Sequence, residues 1–293
     1  MFGFINLNKP RNLGSRTAIN SVVKLAKPLK VGHAGTLDPL ASGVLVTAVG
    51  PATRLIRYVQ DADKEYRGSF RLGATSDTED IMGTVQEIAS APAVTQDQIE
   101  SVLPMFTGSI EQTPPQFSAL KVDGVRAYKL ARKGVEAKLK SRRVTIHSLE
   151  LTQFQYPSFE LTIRCGGGTY IRTLGRDIAK ALETDAVMTD LQRTAVGKFR
   201  VEDSVSPEKL TDANIGDHLT LPQDAFSGLD TVQIDSHVSQ QFLNAVAWQP
   251  EQDPKHEALM AVDGQNRLMA VLRRQADGAY TPKLNFAHYW QDA

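Results

Sequence analysis

The sequence predicts an α+β fold: a mixed or antiparallel central sheet flanked by helices and loops, followed by a small β-rich module at the C-terminal end. Three observations carry this. Segments with strand alternation and segments with helical periodicity intermingle without a regular βα repeat, which argues against a doubly wound parallel sheet. The texture changes after about residue 200, where an acidic, loop-rich stretch begins. Beyond it, short apolar runs are separated by Asp263-Gly264 and Asp277-Gly278, dipeptides that close β-hairpins. The expected organisation is one domain over 1–200, a connector over 201–230 and a β module over 231–293.

Each element follows from its own residues. "FGFINLNKP" reads as a strand closed by Pro10, which cannot donate to a ladder. "SRTAINSVVKLAK" places Ala18, Val22, Val23 and Leu25 near helical spacing, with Ser15 as N-cap. A loop over 28–43 follows, then a short buried strand in "VLVTAVG" and a short helix in "ATRLIRYV". "KEYRGSFRLG" sets Tyr66, Gly68, Phe70 and Leu72 on one face and Glu65, Arg67, Ser69 and Arg71 on the other, which is strand alternation. "ATSDTEDIMG" reads as a polar, turn-rich loop, "TQDQIESVLPMF" as a helix with a Thr cap, and "VRAYKLARKG" as a helix ended by Gly134. "RRVTIHSLELTQFQ" and "SFELTIRCGGG" are two strands joined near Tyr156-Pro157. "TYIRTLGRDIAKALE" carries Ile171, Leu174, Ile178 and Leu182 at helical spacing, and a strand pair should lie within "AVMTDLQRTAVGKFRV".

Of the 293 residues, 41% are hydrophobic, enough for a sizeable core. The single cysteine, Cys165, cannot form an internal disulfide, and no Cys/His cluster stands at zinc-ligand spacing. No metal or organic cofactor is expected. The first residues lack the pattern of a secretory signal, and no uninterrupted apolar run approaches the length of a membrane span. A cytoplasmic monomer is the expectation. The net charge of zero conceals a segregation. From Met1 to Leu37 there are six Lys/Arg and no acid; from Lys121 to Arg143 there are nine Lys/Arg against Asp123 and Glu136, a net of +7. From Glu202 to Asp235, eight acids face Lys209 alone, a net of −7. Such a chain can present a basic face to a polyanion, although charge runs are also common on solvated surfaces.

The chemistry centres on "VGHAGTLDPLASGVL", where Asp38 is the first acid of the chain, set among small and apolar residues. Asp before Pro is a familiar helix or turn start. A functional carboxylate would need a partner that keeps it ionised, and Arg172, on the first turn of a helix after three glycines, is the candidate. Tyr66 and Tyr170 read either as core tyrosines or as stacking platforms for a base, and His33 either as a packed histidine or as a wedge. No Ser/His/Asp order, phosphate-binding loop or paired-carboxylate motif stands out.

Seven segments stand in a telling order: "NLNKP", "VGHAGTLDPLASGVL", "ATRL", "KEYRGSFRLGATSDTED", "PPQFSALKVDGVRAYKLAR", "GGGTYIRTLGRDIA" and "LQRTAVGKF". Over about residues 4–199 the chain resembles the bacterial tRNA pseudouridine-55 synthases of TruB type; at the N-terminus "RNLGSRTA" departs from that family's pattern after Lys9-Pro10. The resemblance implies a pseudouridine-synthase fold with a C-terminal PUA-like RNA-binding domain. It implies isomerisation of uridine to pseudouridine at position 55 in the T-loop of tRNA, without cofactor. By the same resemblance Asp38 is the catalytic aspartate and Arg172 its ion-pair partner. Tyr66 stacks on the uracil and assists loss of the C5 proton, Tyr170 lines the pocket, and Leu191 packs against the flipped ring. His33 fills the gap left in the RNA, while Lys9 and the segment from Lys121 lie near RNA. The expected partner is the T-stem-loop of tRNA, with no DNA and no membrane. An N-glycosidase using Asp38 and a non-catalytic RNA-binding module are the competing readings.

Overall fold

The computed structural model describes every residue except 227, 245, 251–253, 255, 292 and 293. In chain order, β1 (Gly3–Lys9) leads into two short helices, α1 (Ser15–Ala18) and α2 (Asn20–Leu25), then β2 (Val31–His33), β3 (Ser42–Val49) and α3 (Ile56–Asp61). Next come β4 (Lys64–Leu72), a small hairpin of β5 (Ala74–Ser76) and β6 (Val85–Glu87), α4 (Gln96–Val102) and β7 (Gly108–Gln112). A second hairpin, β8 (Lys121–Val122) and β9 (Val125–Arg126), precedes α5 (Ala127–Ala131), β10 (Arg142–Gln155), β11 (Ser158–Cys165) and α6 (Ile171–Lys180). The large sheet is completed by β12 (Ala186–Val196), β13 (Phe199–Arg200) and β14 (Leu219–Thr220), the last followed by α7 (Pro222–Ala225). The C-terminal module holds β15 (Asp230–Gln233), α8 (Ser236–Leu243), β16 (Ala258–Val262), β17 (Leu268–Arg274) and β18 (Tyr280–Asn285).

Among the described residues the main sheet has ten strands in the order β14-β1-β3-β12-β4-β11-β10-β7, with β2 on β3 and β13 on β12. Every pairing is antiparallel except that of β12 with β3, which meet in parallel at Gln192/Ser42 and Arg193/Gly43. Gly43 is needed at that junction: its φ is +95°, and a Cβ there would lie 2.2 Å from the carbonyl oxygen of Arg193. The fold is therefore the mixed α+β arrangement expected. The β module forms its own four-stranded sheet, and the two Asp-Gly dipeptides fall between its consecutive strands.

Three expectations need correction. The helix over 15–27 is two helices that break at Ile19, and the cap of the first is Gly14; Ser15 is inside it. The turn-rich loop over 74–83 opens with a strand, β5, paired to β6. The acidic stretch after residue 200 is built into the core: Val205, Leu210 and Ile215 are buried in one cluster with Ile5, Leu7 and Leu45, and β14 extends the main sheet at β1. The Thr95 cap is present as expected, with a reciprocal capping box to Gln98.

Two further clusters fix the site. One gathers Tyr66, Phe70, Leu161, Ile171, Leu174 and Leu191 between the sheet and α6. Gly175 lets that helix lie on the sheet, because a Cβ there would fall 2.1 Å from a Phe70 ring carbon, and Phe70 is stacked on Phe159. The other cluster joins Phe2, Phe4 and Val46 to Met260, Val271 and Phe286, so the β module is seated against the first strands of the chain. Among the described residues no helix is long and apolar enough to cross a membrane.

Candidate active site

Asp38 lies in the loop 34–41 between β2 and β3, and no helix starts there. The carboxylate therefore caps nothing. It is side-on to Arg172, whose Nε donates to Oδ2 at 2.8 Å and whose Nη2 donates to Oδ1 at 3.3 Å. Arg172 is 4% exposed and spends two further donors on backbone: Nη1 on the Thr78 carbonyl at 2.7 Å and Nη2 on that of Phe117 at 3.0 Å. A planar guanidinium with a fixed fork of donors is suited to this four-way hold; an ammonium could not reproduce it. Asp38 keeps a one-third exposed side chain, so one face of the carboxylate is open.

The loop itself is pinned from several directions. Ser15 both donates to the Leu37 carbonyl and accepts from the Leu37 N–H, each at 2.8 Å. Its place in the altered N-terminal motif is thus a strut beside Asp38. The Ala34 N–H donates to Val46 and the Ala41 N–H to the carbonyl of Asp38. Lys9, expected beside RNA, is instead fully buried beneath this loop: its ammonium donates to the carbonyls of Pro10, Leu13 and Pro39. Burial pulls the Lys9 pKa down to about 8, against the opposing attraction of Asp38.

Tyr66, on β4, is 8% exposed and packs in one cluster with Leu37, Leu40 and Leu191. Burial pushes its hydroxyl pKa up, while Arg193, its cross-strand partner, pulls the other way. Leu191 stands opposite Gly68 and is 4% exposed. Tyr170 is the residue before α6; its N–H and C=O are both taken by the Gln112 side-chain amide, and the Arg142 guanidinium lies 4.8 Å from its ring centre. His33 ends β2, half-buried, with a buried Nδ1 that lacks a hydrogen-bond partner among the described residues. Burial lowers its pKa, and Arg193 and Arg16 add to that, which favours the neutral ring. Lys121 is exposed on the β8–β9 hairpin, outside the pocket; that hairpin begins shortly after Phe117, whose carbonyl Arg172 holds. The structure thus brings Asp38, Arg172, Tyr66 and Leu191 together, with Tyr170 at the helix start. Lys9 lies behind them, His33 ends β2 at the start of the Asp38 loop and within the field of Arg193, and Lys121 lies on the exposed β8–β9 hairpin.

Sequence reasoning missed the loop 76–80. Asp80 is 5% exposed with Oδ2 3.9 Å from the Arg172 Nε, and its Oδ1 accepts from Thr78 Oγ1 and the Met82 N–H. Glu79, at φ +62°, is paired to Arg176 and accepts from Thr173 on α6. Arg172 therefore has carboxylates on two sides, Asp38 and Asp80. The signal was present as "SDTED", but a run of polar residues reads the same whether it is solvated or folded under a helix. Among the described residues no group of three or more His, Cys, Asp or Glu is placed to share a metal ion.

Residues 23–171 match the N-terminal domain of the TruB family pseudouridylate synthases, and residues 172–225 match the tRNA pseudouridylate synthase B C-terminal domain. The tRNA pseudouridine synthase B of Synechocystis sp. is 41% identical over 250 residues, covering 83% of this chain and 84% of that protein. That of Azoarcus sp. is 44% identical over 226 residues, covering 76% and 75%. The crystal structure of a Cbf5-Nop10-Gar1 complex contains a chain that superposes with a TM-score of 0.69 at 26% identity, covering 94% of this chain and 78% of that one. On these matches, with the mixed α+β sheet, the chain belongs to the TruB family of pseudouridylate synthases.

Proposed function

We propose that this protein isomerises uridine to pseudouridine at position 55 in the T-loop of tRNA, with Asp38 acting at the ribose of a flipped nucleotide. The single observation that carries the reading is the ion pair: a carboxylate held by a buried guanidinium, with its own side chain left one-third exposed. The relatives named tRNA pseudouridine synthase B support tRNA as the substrate.

The reaction breaks the C1′–N1 bond, turns the base and joins C1′ to C5. Nothing is oxidised and no group is lost, so the scheme calls for no cofactor. Asp38 serves either as nucleophile at C1′ or as base at C2′; both roles need an ionised oxygen with a free lone pair. Arg172 engages each carboxylate oxygen once and leaves that capacity in place. Tyr66 stacks on the detached uracil and receives the C5 proton, and Leu191 and Tyr170 bound the space in which the ring turns. Extracting the target base costs a few kcal/mol, which stacking and phosphate contacts offset, and RNA loops give up a base more easily than a duplex does. His33 takes up the gap left in the RNA. The basic segment from Lys121 to Arg143 supplies phosphate contacts, and the C-terminal sheet acts as a PUA-like RNA-binding module. Lys9 has no RNA contact in this account; it holds the Asp38 loop from below.

The test is to incubate the protein with an unmodified T-stem-loop RNA and map pseudouridine by position. Pseudouridine at that one uridine is the expected product. Free uracil in solution would mark an N-glycosidase, and bound but unchanged RNA a non-catalytic module.

A further inference from the structure

Arg193 has no part in the scheme above, yet it is among the most buried residues of the protein, at 2% exposure. It stands on β12 two residues beyond Leu191. Its Nε donates to the Val44 carbonyl at 2.8 Å and its Nη2 to the Gly35 carbonyl at 3.3 Å, so it clamps both ends of the Asp38 loop. Among the described residues it forms no salt bridge, and its cross-strand partner on β4 is Tyr66, itself 8% exposed. Burying an unpaired charge is costly, and two neutral carbonyls could be held by a neutral amide. The charge also acts against the protonated forms of Lys9, His33 and Lys64 nearby. A cation kept at that expense calls for an anion that forms only during the reaction.

We propose that Arg193 is a positioning residue for the proton transfer, holding Tyr66 and stabilising the phenolate through which the C5 proton leaves. This rests on the reading of Tyr66 given above. Isomerisation moves one proton overall, off C5 and onto N1. When the C1′–N1 bond breaks, its electron pair stays with the base; Tyr66 gives its hydroxyl proton to the N1 side of that anion. Once C5 has bonded to C1′, the phenolate takes the C5 proton, and the C–H electron pair restores the C5–C6 double bond. Tyr66 ends as it began. Between the two transfers it is negative in a buried setting. Of the groups that face it, Asp38 from the loop before β3 and Cys165 from β11 disfavour that charge, and Arg193 from β12 favours it. Cys165 is itself held as a thiol, its pKa pushed up to about 11 by burial.

The test uses Arg193→Gln, which can still donate to a carbonyl, and Arg193→Lys, which keeps the charge. RNA carrying 5-deuterouridine at the target reports C5–H cleavage. With RNA saturating, the single-turnover rate of Arg193→Gln should fall about 10²-fold at neutral pH, the lower end of what a positioned proton-transfer group contributes. Its C5-deuterium isotope effect should rise, because proton removal becomes the slow step. Its loss should shrink as pH rises, because a phenolate without its cation forms only at higher pH. Arg193→Lys should recover at least about tenfold, within the same range, and Arg193→Gln should slow a Tyr66→Phe protein no further. A pH-independent loss with an unchanged isotope effect, or a loss that adds to that of Tyr66→Phe, would overturn the proposal and leave Arg193 as a loop clamp. If the Gln variant does not fold, Arg193→Lys decides alone: a raised isotope effect with a shifted pH profile supports the role, and a rate loss without either refutes it. Full activity in Tyr66→Phe would remove the reading of Tyr66 itself, with Asp38 unaffected.

Discussion

Ser15→Ala separates the placement of Asp38 from its chemistry. The substitution deletes one hydroxyl and with it two hydrogen bonds of 2.8 Å to Leu37, at a position that is 4% exposed. A neutral hydrogen bond contributes about 1 kcal/mol, and a buried N–H left without a partner costs about 1–3 kcal/mol. Together the variant should lose about 2–4 kcal/mol of stability. Urea unfolding reads this as a lower midpoint at an unchanged slope. The functional consequence follows from the neighbour: Leu37 precedes Asp38, and a catalytic group displaced by about 1 Å can lose roughly 10²-fold in rate. Single-turnover rate should therefore fall while RNA affinity holds, since Ser15 is buried and touches no surface. A Ser15→Ala protein within about 0.5 kcal/mol of wild type, the range of an ordinary surface substitution, and with an unchanged rate would refute the strut. The loop would then be held by Lys9, Arg193 and its own backbone bonds alone.

Other outcomes follow from single distances. Gly175→Ala should destabilise by about 1–3 kcal/mol as α6 backs away from Phe70, and should slow turnover because that helix carries Arg172; thermal melts and rates check both. Lys138→Gln with Lys140→Gln, both exposed in the basic segment, should flatten the salt dependence of RNA binding by about 0.7–0.9 in slope for each phosphate that is no longer neutralised; an unchanged slope would assign them to solvated surface. Lys9 has a folded-state pKa lowered from 10.5 to about 8, so between those values the unfolded chain binds more protons than the folded one. Stability contributed at this position should therefore rise as pH climbs from about 8 towards 10.5. The stability difference between wild type and Lys9→Met, followed across that window, should move in favour of wild type.

What was legible in the sequence was what repeats or alternates. The alternation of "KEYRGSFRLG" announced β4, and the spacing of Ile171, Leu174 and Ile178 announced α6, because one buried face dictates each pattern. The pair Ser42-Gly43 was visible as small residues, but why they were small required the crossing of β12, whose backbone leaves no room for a Cβ at Gly43. Ser15 was misread because a serine before an amphipathic run is the signature of a cap, and a strut to a residue 22 positions away leaves no local mark. Lys9 was placed near RNA only by the family resemblance; its burial, with Leu13 and Pro39 folded around its ammonium, leaves no mark in the local sequence. Asp80 and Glu79 were hidden in a polar run, since burial of an acid depends on the cation that arrives from α6, nearly a hundred residues later. The acidic stretch after residue 200 read as a connector because its apolar residues, Val205, Leu210 and Ile215, are too widely spaced to show a period.

The central claim is that Asp38 does the chemistry. The measurement is tritium release from C5-labelled uridine in a T-stem-loop RNA by Asp38→Asn protein, with melting and filter binding alongside. Asn preserves the shape of the side chain, and the phosphate and stacking contacts lie elsewhere, so the variant should fold and bind RNA. It should release tritium many orders of magnitude more slowly than wild type, because the proposed chemistry at the ribose needs a carboxylate oxygen that Asn lacks. Asp38→Asn protein that folds, binds the RNA and releases tritium at near wild-type rate would contradict the account.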